Sequence, residues 1–121
     1  MKVVTMSELP EEPATGALFT GGPVNRQTPF SPDELSAVNF GIVSFSAGSR
    51  NKFHRHTSDQ ILIVTEGTGV VATEDAEATV TAGDVILIPA GESHWHGAPG
   101  ETPMAHITIQ AKGSTTTQIE P

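Results

Sequence analysis

The chain has two textures. Across residues 7–36 each short apolar run is cut by Pro10, Pro13, Pro23, Pro29 or Pro32, or by Gly16, Gly21 or Gly22. Proline removes a backbone donor and glycine opens turns, so helix cannot persist and an extended arm is predicted. Within the arm, residues 16–20 predict a short strand. Ser31-Pro32-Asp33-Glu34 predicts one helical turn, with an N-cap serine ahead of proline at the first helical position. A further strand is expected at residues 2–5. From Val38 onward β-branched and aromatic residues dominate, and strands are predicted at 38–45, 60–65, 69–73, 77–81, 84–88, 104–110 and 115–119. Glu66-Gly67-Thr68 reads as the turn of one hairpin and Ala82-Gly83 as the turn of a second. Strands spaced about 8–12 residues apart, with no long helix, predict an all-β antiparallel sandwich or barrel. The expected organisation is one domain over 1–121, with an N-terminal arm at 1–37 and a barrel core at 38–111.

Charge narrows the function classes. Six basic residues against fourteen acidic ones give a formal net charge of −8. A phosphate-binding surface needs clustered Lys and Arg, so no nucleic-acid partner is expected. The local group Arg50, Lys52 and Arg55 reads as a solvated strand end. The absence of cysteine removes disulfides, thiolate nucleophiles and zinc–thiolate sites together. The start, MKVVTM, lacks the apolar run of a signal peptide, and no stretch reaches transmembrane length. The expectation is a soluble cytoplasmic protein with a small-molecule partner and no membrane partner.

The chemistry concentrates in five histidines: His54 and His56, His94 and His96, and His106. Residues i and i+2 of a strand share a face, so each pair points one way, as do His106, Thr108 and Gln110. If these faces turn inward, five imidazoles meet in one cavity, where polar groups without partners are costly. A metal ion supplies partners for three or four of them. Trp95, between His94 and His96, then faces the other way and is expected to pack against the second sheet or another subunit. Asp59 and Glu66 read as solvated turn residues.

The spacing of these residues resembles the cupin superfamily. Gly48, His54, His56, Gln60 and Gly67, separated by five, one, three and six residues, follow the first cupin motif, with Gln where most members have Glu. Gly83, Pro89, Gly91 and His94, separated by five, one and two, follow the second; Ala98 stands where that motif often ends in Asn. The resemblance implies a double-stranded β-helix (jelly-roll) barrel and metal ligands at His54, His56, Gln60 and His94. Gln60 alternatively hydrogen-bonds a neighbouring ligand. Imidazole with one oxygen donor suits Mn, Fe, Ni, Cu or Zn better than Ca or Mg. Three imidazoles and an amide leave a divalent ion its full charge, which favours anionic ligands in its open positions.

Gln60–Gly67, HWHGA at 94–98 and MAHITIQ at 104–110 look more closely like the small bacterial manganese-dependent cupin hydroxynitrile lyases and carboxymuconolactone decarboxylase-like cupins. That resemblance implies manganese as the divalent transition metal, with Fe, Ni, Zn or Cu as alternatives. It implies His96 and His106 as the acid/base pair, and Gly41, Val43 and Gln110 as the substrate pocket. It further implies a homodimer or higher homo-oligomer. The reaction implied is reversible cleavage of a cyanohydrin to aldehyde and cyanide. A quercetinase-like dioxygenase, or a decarboxylase or isomerase of a small oxo-acid, would use the same site. A non-enzymatic metal- or ligand-binding module is the alternative of another class.

Overall fold

In the computed structural model, which describes residues 1–121, the chain forms twelve strands. They are β1 (Glu12–Pro13), β2 (Phe19–Thr20), β3 (Val24–Gln27), β4 (Val38–Phe45), β5 (Ser49–Asn51), β6 (His54–His56), β7 (Gln60–Thr73), β8 (Glu77–Thr81), β9 (Val85–Ile88), β10 (His94–Ala98), β11 (Met104–Ala111) and β12 (Thr116–Gln118). Every pairing is antiparallel. One layer runs β1-β3-β4-β11-β7-β9. The other runs β8-β7-β10 and then forks to β5 with β2 and to β6 with β12. The all-β fold is that of the jelly-roll barrel. No helix is long and apolar enough to cross a membrane.

The two layers are joined by β7, and here the predicted turn at 66–68 is corrected. The run is one continuous 14-residue strand. Gly67, at φ 73°, bends it from the β11 and β9 side to the β10 and β8 side. A Cβ at 67 would run into the Pro103 carbonyl oxygen, so glycine is needed for the close approach as well as the bend. The predicted 77–88 hairpin is also corrected. β8 and β9 do not pair with each other; both pair with β7, on either side of its bend. Ala82-Gly83 does close a turn, Asp84 N–H donating to the Thr81 carbonyl at 3.0 Å. Gly83 N–H also donates to the Val64 carbonyl and Val64 N–H to the Asp84 carbonyl, so the turn lies along β7 and does not pair β8 with β9.

The arm is more ordered than its composition indicates. β1 and β3 extend one layer and β2 the other, because proline and glycine interrupt the strands without preventing short edge pairings. Residues 2–5 form no strand, and a 3₁₀ turn at Met6–Glu8 follows them. Pro32–Glu34 is a 3₁₀ turn closed by Ser31 N–H donating to Glu34 Oε2 at 3.0 Å.

Alternation along β7 buries Gln60, Leu62 and Val64 and turns Ile61 outward. Leu62 and Val64 pack with Val43, Phe45, Val71, Ile88 and Met104 in the core between the layers. Phe45 forms the core's wall against the histidines: its ring lies 5.9 Å from His96 and 5.4 Å from His106. Truncating such a ring to alanine costs about 3–5 kcal/mol.

Candidate metal centre and the adjoining imidazole pair

The central strands carry the chemistry. His94 on β10 stands directly opposite His54 on β6, and His56 lies two residues along on the same face. All three are buried, and their candidate ligand atoms lie within 4.8 Å of one another. Each ring is held from behind through Nδ1. That of His54 donates to the Lys52 carbonyl at 2.6 Å, that of His94 to the Glu92 carbonyl at 2.8 Å, and that of His56 to Thr116 Oγ1 at 2.9 Å. A neutral imidazole with its proton on Nδ1 keeps its lone pair on Nε2, the form that binds metal.

Gln60 completes the donor set. Its amide nitrogen donates to Thr108 Oγ1 at 2.9 Å, which turns Oε1 toward His94 Nε2 at 3.0 Å. Two lone-pair atoms then face each other, and His56 Nε2 is buried with no hydrogen-bond partner. A shared cation resolves both, so these residues fit a divalent metal. Burial drives the His54 and His56 pKa values down to about 4, and lowers that of His94, so all three are unprotonated at neutral pH.

His96 and His106 occupy the same cavity in a different arrangement. His106 Nε2 lies 2.9 Å from His96 Nδ1. Asn51 orders the pair: its Oδ1 accepts the His96 backbone N–H at 2.8 Å, which leaves Nδ2 facing His96 Nε2 at 3.2 Å. With that amide donating, His96 carries its proton on Nδ1 and donates it to His106 Nε2. His106 then carries its own on Nδ1, an atom buried without a partner. Burial lowers the His106 pKa to about 4 and holds that of His96 well below its ordinary value, helped by neighbouring imidazoles.

The cavity has a volume of about 140 Å³, and Val43, Gln110, His54, His56, Gln60, His96 and His106 line it. His94 is fully buried behind this surface. Gly41 is set apart: it lines an adjoining outer cavity of about 320 Å³, which also reaches Gln110. Trp95 points away, buried under the Arg50 guanidinium at 4.7 Å from its ring centre. Asp59 accepts the Ala90 N–H at 2.9 Å and so holds the turn before β10. Asn51 and Thr116 escaped the sequence reading. Asn51 breaks the i, i+2 alternation because the chain leaves strand geometry at Lys52 and Phe53. Thr116 is distant in sequence and carries no motif.

Comparison with known proteins agrees with this geometry. Residues 41–110 match the Cupin domain family. An (R)-mandelonitrile lyase from Granulicella tundricola is 38% identical over 84 residues, 69% of this chain and 64% of that protein. A gentisate 1,2-dioxygenase from Ralstonia is 32% identical over 75 residues, 61% of this chain but 21% of the enzyme. The matches thus span less than two thirds of either relative. A cupin-like protein from Thermotoga maritima superposes with a TM-score of 0.81 at 28% identity, over 89% of this chain and 84% of that one.

Proposed function

Because the chain belongs to the cupin domain family, we propose that it is a metal-dependent lyase of hydroxynitrile lyase type, cleaving a cyanohydrin reversibly to an aldehyde and cyanide. The observation that carries this reading is the second imidazole pair, His96 and His106, joined at 2.9 Å in the same cavity as the metal-binding group yet outside it. Similarity to the mandelonitrile lyase supports it.

His54, His56, His94 and Gln60 would hold the metal, manganese in this reading. A divalent cation held there would supply Lewis acidity, making the substrate hydroxyl easier for a weak base to deprotonate. That help is needed, since burial leaves the His106 imidazole with a pKa of about 4. The hydroxyl proton passes to the His96–His106 pair, whose Nδ1–H···Nε2 bond at 2.9 Å spreads the added charge over both rings. The O–H electrons become the carbonyl π bond, and the C–CN electrons leave with cyanide. Return of the proton through the same pair yields hydrogen cyanide and restores both neutral rings. Val43 and Gln110 flank the substrate, and Gly41 borders its outer end.

The proposed partners are a small-molecule substrate and a second copy of the chain, with neither nucleic acid nor membrane, in the cytoplasm. Exposed Ile61, Val85 and Leu87 share the outer face of one layer and support a homodimer through it. Similarity to the gentisate dioxygenase favours dioxygen chemistry as the second reading.

Metal analysis followed by mandelonitrile cleavage, with and without added manganese, tests the proposal. The expected result is stoichiometric metal and manganese-dependent cyanide release. A metal-free protein sinks the proposal; a metal-loaded one that releases no cyanide but consumes dioxygen with a gentisate or flavonol transfers the assignment to the dioxygenase reading.

A further inference from the structure

The inner and outer cavities share Arg26, Thr108 and Gln110 in their walls. Arg26 is the sole Lys, Arg, Asp or Glu lining either cavity. It makes no ion pair: the two in the structure join Lys2 to Glu34 and Arg50 to Glu120. Lys112 is engaged as well, donating to the Pro32 and Leu35 carbonyls. Arg26 is exposed, so water solvates its guanidinium, and it is a cation without an ion pair beside the cavities of a chain of net charge −8.

Register fixes its direction. Arg26 on β3 stands opposite Val43 on β4, and Val43 stands opposite His106 on β11, so the three share the inward face. Two strand spacings separate Arg26 from His106, roughly 10 Å at the backbone. That distance accommodates a ring-sized molecule once both side chains take their share. Glu12 on β1 is the cross-strand neighbour of Arg26, yet it forms no ion pair with it and lines neither cavity.

From these placements we infer that the natural substrate carries a carboxylate, which Arg26 binds at the junction of the two cavities while the reacting carbon lies beside His96 and His106. Thr108 and Gln110 supply neutral polar groups at the same junction and leave the guanidinium as its charge-selective element. Arg presents paired N–H donors to a carboxylate in a planar fork, which neither of those side chains reproduces. The acidic surface repels anions generally, so selection for one must be local. This inference rests on the lyase reading for the position of the reacting carbon, and on the cavity geometry alone for the carboxylate.

The test is calorimetric binding of 4-carboxybenzaldehyde and 4-methylbenzaldehyde to the manganese-loaded protein, wild type against Arg26→Ala and Arg26→Lys. The carboxylated aldehyde is expected to bind wild type about tenfold more tightly than the methyl compound or better. Arg26→Ala should erase that preference with metal content and neutral-aldehyde binding unchanged, and Arg26→Lys should restore part of it. Equal binding of both aldehydes to wild type, or a preference surviving in Arg26→Ala because the carboxylate seeks the metal, overturns the inference. Cyanide release from mandelonitrile, measured on the same samples, reports separately on the lyase reading. Its absence beside an intact Arg26-dependent preference leaves the carboxylate assignment standing.

Discussion

Five buried imidazoles share one end of the barrel, yet they form two regions with different chemistry. In the first, His54, His56 and His94 are each fixed through Nδ1 by a group outside the cluster: two backbone carbonyls and a threonine hydroxyl. Their Nε2 lone pairs are left to converge. In the second, His96 and His106 are bonded to each other, and Asn51 fixes the order of their protons. Where a histidine finds its partner decides its role. Rings anchored from behind turn lone pairs toward a common point that could hold a cation, whereas rings anchored on one another share a hydrogen bond, the arrangement on which the proposed proton transfer rests.

The most severe way to break this comparison is to remove one ring from each region. His94→Ala is expected to lower metal affinity by at least about 100-fold, more than the loss of an outer hydrogen bond would cost. Added manganese should then no longer raise the melting temperature, as it does when a protein binds metal in its folded state alone. His106→Ala should retain full metal by elemental analysis while turnover falls about 10²- to 10⁴-fold, the usual contribution of a positioned acid/base group. Metal loss in His106→Ala would merge the two regions into one coordination sphere.

These two regions were not equally legible in the sequence. The three metal-facing histidines sit at motif spacings that turns enforce: Gly48 before β5 and Pro89-Ala90-Gly91 before β10. Spacing along the chain therefore reports position in space. The all-β class was legible for a similar reason, since alternation directly reflects burial. The partners of the rings were not. Asn51 meets His96 through strand pairing, and Thr116 meets His56 across β12 and β6, contacts set by register and not by local pattern. The bend in β7 was misread because glycine between β-branched runs has the same composition in a hairpin turn and in a strand crossing between layers. β3 went unseen because its four residues, Val24–Gln27, are too few to show a period.

A pH series on the metal-free protein sharpens the comparison with a smaller effect. Burial depresses the His54, His56 and His106 pKa values from 6.5 to about 4. The unfolded chain therefore binds these protons before the folded one does. The stability contributed by the neutral rings is full above about pH 6.5 and is lost as pH falls toward 4, below which both states are protonated. The melting temperature of the metal-free protein should decline through that window. Manganese should shift the decline to lower pH, because it competes with protons for the first region's lone pairs. A flat profile between pH 6.5 and 4 would mean that the rings are not held neutral by burial.

The smallest expected effect comes from Thr116→Val, which preserves shape but deletes the hydroxyl that accepts the His56 Nδ1 proton at 2.9 Å. The carbonyls holding His54 and His94 are untouched, so two of the three rings remain oriented. His56 gains rotational freedom and loses the bond that favours its metal-binding tautomer, and metal affinity should fall about tenfold. At saturating manganese the ring is drawn back into place, and turnover should equal that of wild type, because Thr116 makes no hydrogen bond to His96, His106 or Asn51. A titration of activity against manganese separates the two quantities. A shifted midpoint with an unchanged plateau is expected if the regions are independent. A lowered plateau would show that orienting the metal-facing rings also sets the proton path.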